Sequence, residues 1–277
     1  MAIEEGYVSK YLTHFVGKGK PPDEQFELLK RILSRHWLTH PPHLEQPTLN
    51  MEIRRSSNFS ANDMFMPDMI CFCDIPEAHL RIHTQKYGQF GIAFPKSYLV
   101  AQGANPVLYV ARNSTARRRK REFRKDHVPK STITAEEYAT LKNQPAETAK
   151  FQDEPRSALF DEHVKELFDL WYEKERFEAG EAGEVVARIM SRDKLMWTFF
   201  LQHLLGFVKF FDDTLGLDHA DNFYMEREWR RFGSLNFGTG DVSWVYVPPD
   251  SVEQCRAELP DYESKVRPLP KWRDARS

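Results

Sequence analysis

Cysteine is scarce in this chain and poorly placed for cross-linking. There are three in 277 residues, Cys71, Cys73 and Cys255, an odd number with no C-x-x-C pair. This argues against a disulfide framework and against a structural zinc site. Glycine is also thin, at 13 residues, and none falls in G-x-G-x-x-G spacing, so no Rossmann-type phosphate loop is expected. No apolar run is long enough to span a bilayer. The most apolar stretch, residues 196–211, is interrupted by Gln202, His203 and Lys209. The opening residues MAIEEGYVSK hold neither a basic region nor an apolar core, so no secretory signal is read and a soluble, cytoplasmic protein is expected. A formal net charge of −2 supplies no global pull toward nucleic acid or membrane.

What is present is enough to fold. At 41% hydrophobic and 13% aromatic residues, the chain can bury a sizeable core. Residues 6–16 read as an opening strand, rich in aromatic and β-branched side chains, with His14 near its end. A helix is expected over 23–37, from Phe26, Leu29, Ile32 and Leu33 at helical spacing, with Asp23 as its N-cap. Short apolar runs at 69–73, 90–94, 106–111 and 242–247 read as strands, with helices at 79–87, 96–101 and 250–259. Phe160, Val164, Leu167, Phe168 and Trp171 make an apolar stripe, and 182–211 reads as a second helical stretch. The expected organisation is therefore a single α+β domain over 1–277. A helical insertion at about 131–212 splits the two halves of a mixed sheet, and a tail from about 260 forms an arm or a docked extension.

The residues that carry chemistry lie near the end. Tyr224-Met225-Glu226-Arg227-Glu228-Trp229-Arg230 reads as a strand, which places Glu226 and Glu228 on one face. Paired carboxylates repel, so they imply either a site that opposes a developing cation or an edge strand whose acids pair with Arg227, Arg230 or Arg231. Asp74, after the apolar run at 69–73, reads equally as a site residue or as an N-cap. His83 and Tyr87 are four apart on a helix and share a face. Packing against the sheet accounts for His83, and Tyr87 fits a cleft wall as well as a core position. Cys71 and Cys73 both read as core. The run Arg117-Arg118-Arg119-Lys120-Arg121, with Arg124 and Lys125, is dense enough to contact phosphates; its plainer reading is a solvated helix face.

Taken in order, the blocks Tyr11-Leu12-Thr13-His14-Phe15, Cys71-Phe72-Cys73-Asp74-Ile75-Pro76, His83 with Tyr87 to Phe94, Pro106 to Val110 and Glu226 to Arg230 resemble the abortive phage-infection AbiGi family. That family is described as an antitoxin or phage-resistance component. Its sheet pattern is in turn similar to that of ADP-ribosyltransferases, which split NAD and transfer ADP-ribose to protein or nucleic acid. The resemblance implies an ADP-ribosyltransferase-like mixed sheet with NAD as substrate and no metal. His14 would hold the ribose, Glu228 would oppose the ribosyl cation, and Glu226 would orient the acceptor. Tyr87, Phe90 and Asp74 would line the cofactor site. It also implies a protein partner from the same defence locus, a protein or nucleic-acid acceptor, and no membrane. The segment Phe72-Cys73-Asp74 stands where such transferases carry a Ser-Thr-Ser-like motif. Two further readings stay open: a catalytically silent, partner-binding antitoxin or sensor of the same fold, and a nucleic-acid-binding module using the basic run.

Overall fold

The first strand sets the frame. β1 (Tyr11–Val16) alternates Leu12, His14 and Val16 on one face with Thr13 and Phe15 on the other. The computed structural model describes residues 9–39, 51–54, 56–119, 151–166, 204–216, 219 and 222–270. α1 (Pro22–Arg35) follows β1 and lays Phe26, Leu28, Leu29, Ile32 and Leu33 into the core. Asp23 is not its N-cap. Pro21 holds that place without a side-chain bond, Pro22 takes the first helical position, and Asp23 and Glu24 complement the helix dipole in the first turn. The helix ends at His36, which adopts the left-handed conformation with φ 53°.

In chain order there follow β2 (Trp37–Leu38), β3 (Met51–Ile53), β4 (Phe65–Pro67), β5 (Met69–Cys73), α2 (Arg81–Tyr87), β6 (Phe90–Pro95), α3 (Lys96–Ala101), β7 (Asn105–Pro106), β8 (Leu108–Ala111), β9 (Thr115–Arg119) and β10 (Phe151–Pro155). Residues 156–166 form α4. The described chain closes with β11 (Val208–Phe211), β12 (Glu228–Phe232), β13 (Leu235–Asn236), β14 (Trp244–Val247), α5 (Val252–Glu258) and β15 (Val266–Pro268). α2 stops at Gly88, whose φ of 122° suits only glycine; a Cβ there would lie 2.5 Å from the Val16 carbonyl oxygen.

Seven strands form the main sheet in the order β15-β14-β6-β1-β5-β12-β7, antiparallel except for the β14–β15 pair. The sheet is mixed, as the sequence suggests, and α1 covers the face that bears Leu12, Ile92 and Phe94. Two expectations need correcting. The run 106–111 is not one strand: it breaks at Val107, so β7 borders the main sheet while β8 pairs with β11 elsewhere. Of the two readings of the tail, the docked extension holds for its described part, because β15 adds to the sheet edge beside β14. Within 131–212, residues 151–155 and 208–211 are strands rather than helix. Phe160 and Val164 of the apolar stripe do lie on α4, whereas Leu167, Phe168 and Trp171 fall outside the described residues.

The strands β8 and β11 close over a second, smaller core. Among the described residues Phe59, Met64, Val164, Leu205 and Phe210 are buried in it, and Phe160 and Val110 pack against them. Phe210 meets Phe59 edge-on at 5.6 Å between ring centroids and Phe160 at 5.3 Å. This core carries β11 alongside the C-terminal acids.

Candidate functional site

A cavity of about 520 Å³ opens beside the sheet where β1 and β5 part. β1 matches β6 at six positions but β5 at only one, Thr13 with Cys73. Past that point His14 takes over a backbone acceptor: its Nδ1 lies 2.8 Å from the Cys71 carbonyl oxygen. A carbonyl only accepts, so Nδ1 carries the proton.

Glu226 and Glu228 reach the same cavity by a route the sequence did not suggest. They are not neighbours on one strand. Glu226 ends a 3-10 turn (Phe223–Glu226), Arg227 adopts the left-handed conformation with φ 44°, and only Glu228 begins β12. The kink at Arg227 replaces strand alternation as the device that brings the two acids together.

Between them sits Lys209 of β11. Its Nζ donates to Glu226 Oε2 at 2.7 Å and to Glu228 Oε2 at 2.6 Å. Arg230 Nε donates to the other Glu228 oxygen at 2.7 Å, and its Nη1 anchors on the Gly206 carbonyl at 2.5 Å. Lys86 Nζ donates to Glu226 Oε1 at 2.6 Å, and the Tyr87 hydroxyl donates to the same oxygen. The Tyr109 hydroxyl accepts the Glu228 backbone N–H at 2.7 Å.

Both acids are buried, at 5% and 6% exposure. Burial alone would raise their pKa values. For Glu228 the charges of Arg230 and Lys209 outweigh it and hold the carboxyl at about 2. Glu226 is likewise lowered against its burial, chiefly by Lys209. Burial opposes the Lys209 charge too, yet Glu228 and Glu226 hold its ammonium above the ordinary value. Two carboxylates, two lysines and one arginine thus form a closed network in which every charge has a partner.

The cavity wall gathers some expected residues and leaves others out. His14, Tyr87, Glu226 and Glu228 all border it. The strand registers nevertheless put His14 and Glu228 on opposite faces of the sheet. His14 is level with Ile92 on the α1 side, while Glu228 matches Cys73, which matches Thr13 on the other. They share a cavity only because the strands separate. One face of the Tyr87 ring carries the Lys18 ammonium, 5.0 Å from its centroid.

Phe90 does not line the cavity. It is 2% exposed and stacks on Phe26 in the core, because its position on β6 points it under α1. Asp74 is also elsewhere, and it caps no helix. It is buried, 2.7 Å from Lys96 Nζ and 3.7 Å from Arg227, and it borders a separate cavity of about 310 Å³. Cys73 is core, as expected, whereas Cys71 is exposed and borders the main cavity. In the basic run, Arg117, Arg118 and Arg119 lie on strand β9, not a helix, paired with Asp153, Gln152 and Phe151. Lys120, Arg121, Arg124 and Lys125 lie outside the described residues.

The sequence reading missed Lys209 as a site residue. Its signal was available: one lysine inside the apolar run 196–211 has to find an anion when that run is buried. His83 was read as packing, and it does pack against Phe15 and Tyr87. It is 3% exposed, borders the cavity, and has no hydrogen-bond partner on either ring nitrogen. Burial lowers its pKa to about 4, so the ring is neutral at physiological pH.

The family described as "Putative abortive phage resistance protein AbiGi, antitoxin" has a model that matches residues 54–259. The chain belongs to the AbiGi family. The AbiGi match takes in Tyr87, His83, Lys209, Glu226 and Glu228, while β1 with His14 and α1 precede it. No curated protein and no solved structure matches this chain. Among the described residues there is no cluster of His, Cys, Asp or Glu that could hold a metal ion, and no helix long and apolar enough to cross a membrane.

Proposed function

We propose that this AbiGi-family protein acts in phage resistance as an antitoxin-type component with a ligand-binding, catalytically silent cleft, working on a partner from the same defence locus. One observation carries the reading: the Lys209 ammonium bridges Glu226 and Glu228. A carboxylate that must oppose a ribosyl cation has to present its charge to the sugar. Here Glu228 spends that charge on Arg230 and Lys209, and Glu226 on Lys209 and Lys86. The opposite sheet faces of His14 and Glu228 point the same way, since one ribose has to touch both.

The second reading, transfer of ADP-ribose from NAD to a macromolecular acceptor by an ADP-ribosyltransferase-like sheet, rests on His14, Tyr87, Glu226 and Glu228 bordering one cavity. It requires that Lys209 leave the acids when a partner or acceptor binds.

Incubation of the pure protein with labelled NAD and a whole-cell lysate containing protein and RNA separates the two. Wild type is expected neither to consume NAD nor to label any acceptor. NAD consumption that disappears in Glu228→Gln, with the fold intact, would overturn the silent reading and establish the transferase.

A further inference from the structure

The main cavity runs into the plane of the sheet. Residues 13–17, from β1 and the turn after it, border it without a break, and so do residues 69–73 of β5. Side chains alternate faces along a strand, so a cavity on one face would touch every second residue. Touching every residue of both stretches places it between the strand edges. On their outer sides the two strands are fully paired, β1 with β6 at six positions and β5 with β12 at five. Toward each other they share only Thr13 with Cys73. Had that ladder continued, Phe15 would lie opposite Cys71; the His14 ring takes the Cys71 carbonyl instead. Strand edges carry obligatory hydrogen-bonding groups, so this stretch is a template for one more strand. The outer edges of the sheet are poorer templates. β7 and β15 are two and three residues long, and each ends in a proline that has no N–H to donate.

Charge at the cavity mouth indicates what such a strand carries. The chain has a net charge of −2, yet Lys18, Arg31 and Arg35 all border the cavity and are exposed. Lys18 and Arg35 have no carboxylate within ion-pair distance among the described residues. The acids that border the cavity, Glu226 and Glu228, are matched by Lys209, Lys86 and Arg230. Arg31 and Arg35 lie four apart on α1, about 6 Å along the helix axis. Alternate residues of a strand are about 6.6 Å apart, so acids at alternate positions match that spacing. Like charges four apart disfavour a helix, and an anionic partner relieves the repulsion.

We infer that the gap between β1 and β5 receives an extended acidic segment of a partner protein, which adds as a strand with its carboxylates toward Arg31 and Arg35. Main-chain bonds to Phe15 and Cys71 supply affinity, and the alternating acids supply specificity. The acids face α1 because the opposite face of the sheet already holds Glu228. His14 releases the Cys71 carbonyl to the incoming N–H. The inference rests on the partner-binding half of the proposed function and states what the partner presents.

The test is fluorescence anisotropy of the full chain with three labelled, end-blocked peptides. The first is Glu-Thr-Glu-Val-Glu-Thr-Glu, the second has Lys for every Glu, and the third is the acidic peptide N-methylated at Thr and Val. The acidic peptide is expected to bind and the Lys peptide to bind at least about 10-fold more weakly. N-methylation removes every donor toward one flanking strand, so it should weaken binding about 10-fold or more. Arg35→Ala should weaken the acidic peptide and lessen its salt dependence. Hydrogen exchange at the Phe15 and Cys71 amides should slow in the complex. Failure of the acidic peptide to bind overturns the inference. Equal binding of the N-methylated peptide overturns it too, since the cavity would then read charge alone, as does protection at β7 or β15 with none at Phe15 and Cys71. NAD turnover by wild type would overturn the silent reading and leave the strand site standing. Peptide failure without turnover removes the strand site alone.

Discussion

The two cores differ in construction, and the site lies between them. The main sheet is stitched from strands far apart in sequence, β1 to β6 by six register positions, and is covered by α1 with at least five buried side chains. Among the described residues the smaller core has five that are buried, Phe59, Met64, Val164, Leu205 and Phe210, over the parallel pair of β8 and β11. The main sheet supplies Glu228 and Arg230 from β12. The smaller core supplies Lys209, next to Phe210. The charge network therefore bridges the two cores, and its integrity reports whether the smaller one is seated.

The largest expected effect is in the main core. Phe94 is fully buried, edge-on to Phe72 and Phe237 and stacked on Tyr98. Phe94→Ala should lower the unfolding free energy by about 3–5 kcal/mol, measured by urea denaturation. Phe210→Ala should expose a difference in kind. Hydrogen exchange should accelerate first in β8 and β11 while β1 and β6 keep their protection. Equal acceleration of both sets would show that the two cores open as one unit.

Acid should act on the site in two stages. His83 is held neutral with its pKa lowered to about 4, so the unfolded chain binds the proton first and stability falls as pH drops from about 6.5 to 4. Glu228 is depressed to about 2, so its contribution is present above about 4.5 and is lost as pH falls toward 2. Each window carries on the order of 3 kcal/mol. His83→Phe should flatten the upper window only, read from denaturation midpoints at a series of pH values. At the small end, Lys30 pairs with Glu27 and Glu258 on the surface. Lys30→Ala should change stability by less than about 1 kcal/mol, an effect that added salt erases.

The same contrast explains what the sequence revealed. β1, α1, β5, β6 and β14 were legible because each is a single apolar period facing one large core. The break at Val107 was not, since PVLYVA is uniformly apolar and only tertiary pairing divides it between two sheets. The C-terminal segment left an arm and a docked extension both open because Pro260 and Pro268 suppress a strand pattern; an edge strand tolerates them, and β15 docks as one. For the site, His14, Glu226 and Glu228 were identified as candidates, but alternation gave the wrong mechanism for bringing the acids together. Nothing local announces that Arg227 will turn left-handed. Lys209 lies 17 residues before Glu226, and no spacing rule joins them; only the parallel pairing of β11 with β8 does.

The central claim is that Lys209 holds both acids in one closed network. A double-mutant cycle between Lys209→Met and Glu228→Gln, read by urea unfolding at pH 7, tests it most directly. Lys209→Met alone should destabilise by about 3–5 kcal/mol, because it leaves two buried carboxylates short of a cation. In the Glu228→Gln background the same change should cost clearly less, giving a coupling of about 2 kcal/mol or more. A coupling near zero would contradict the account, since Lys209 and Glu228 would then be neighbours without being partners.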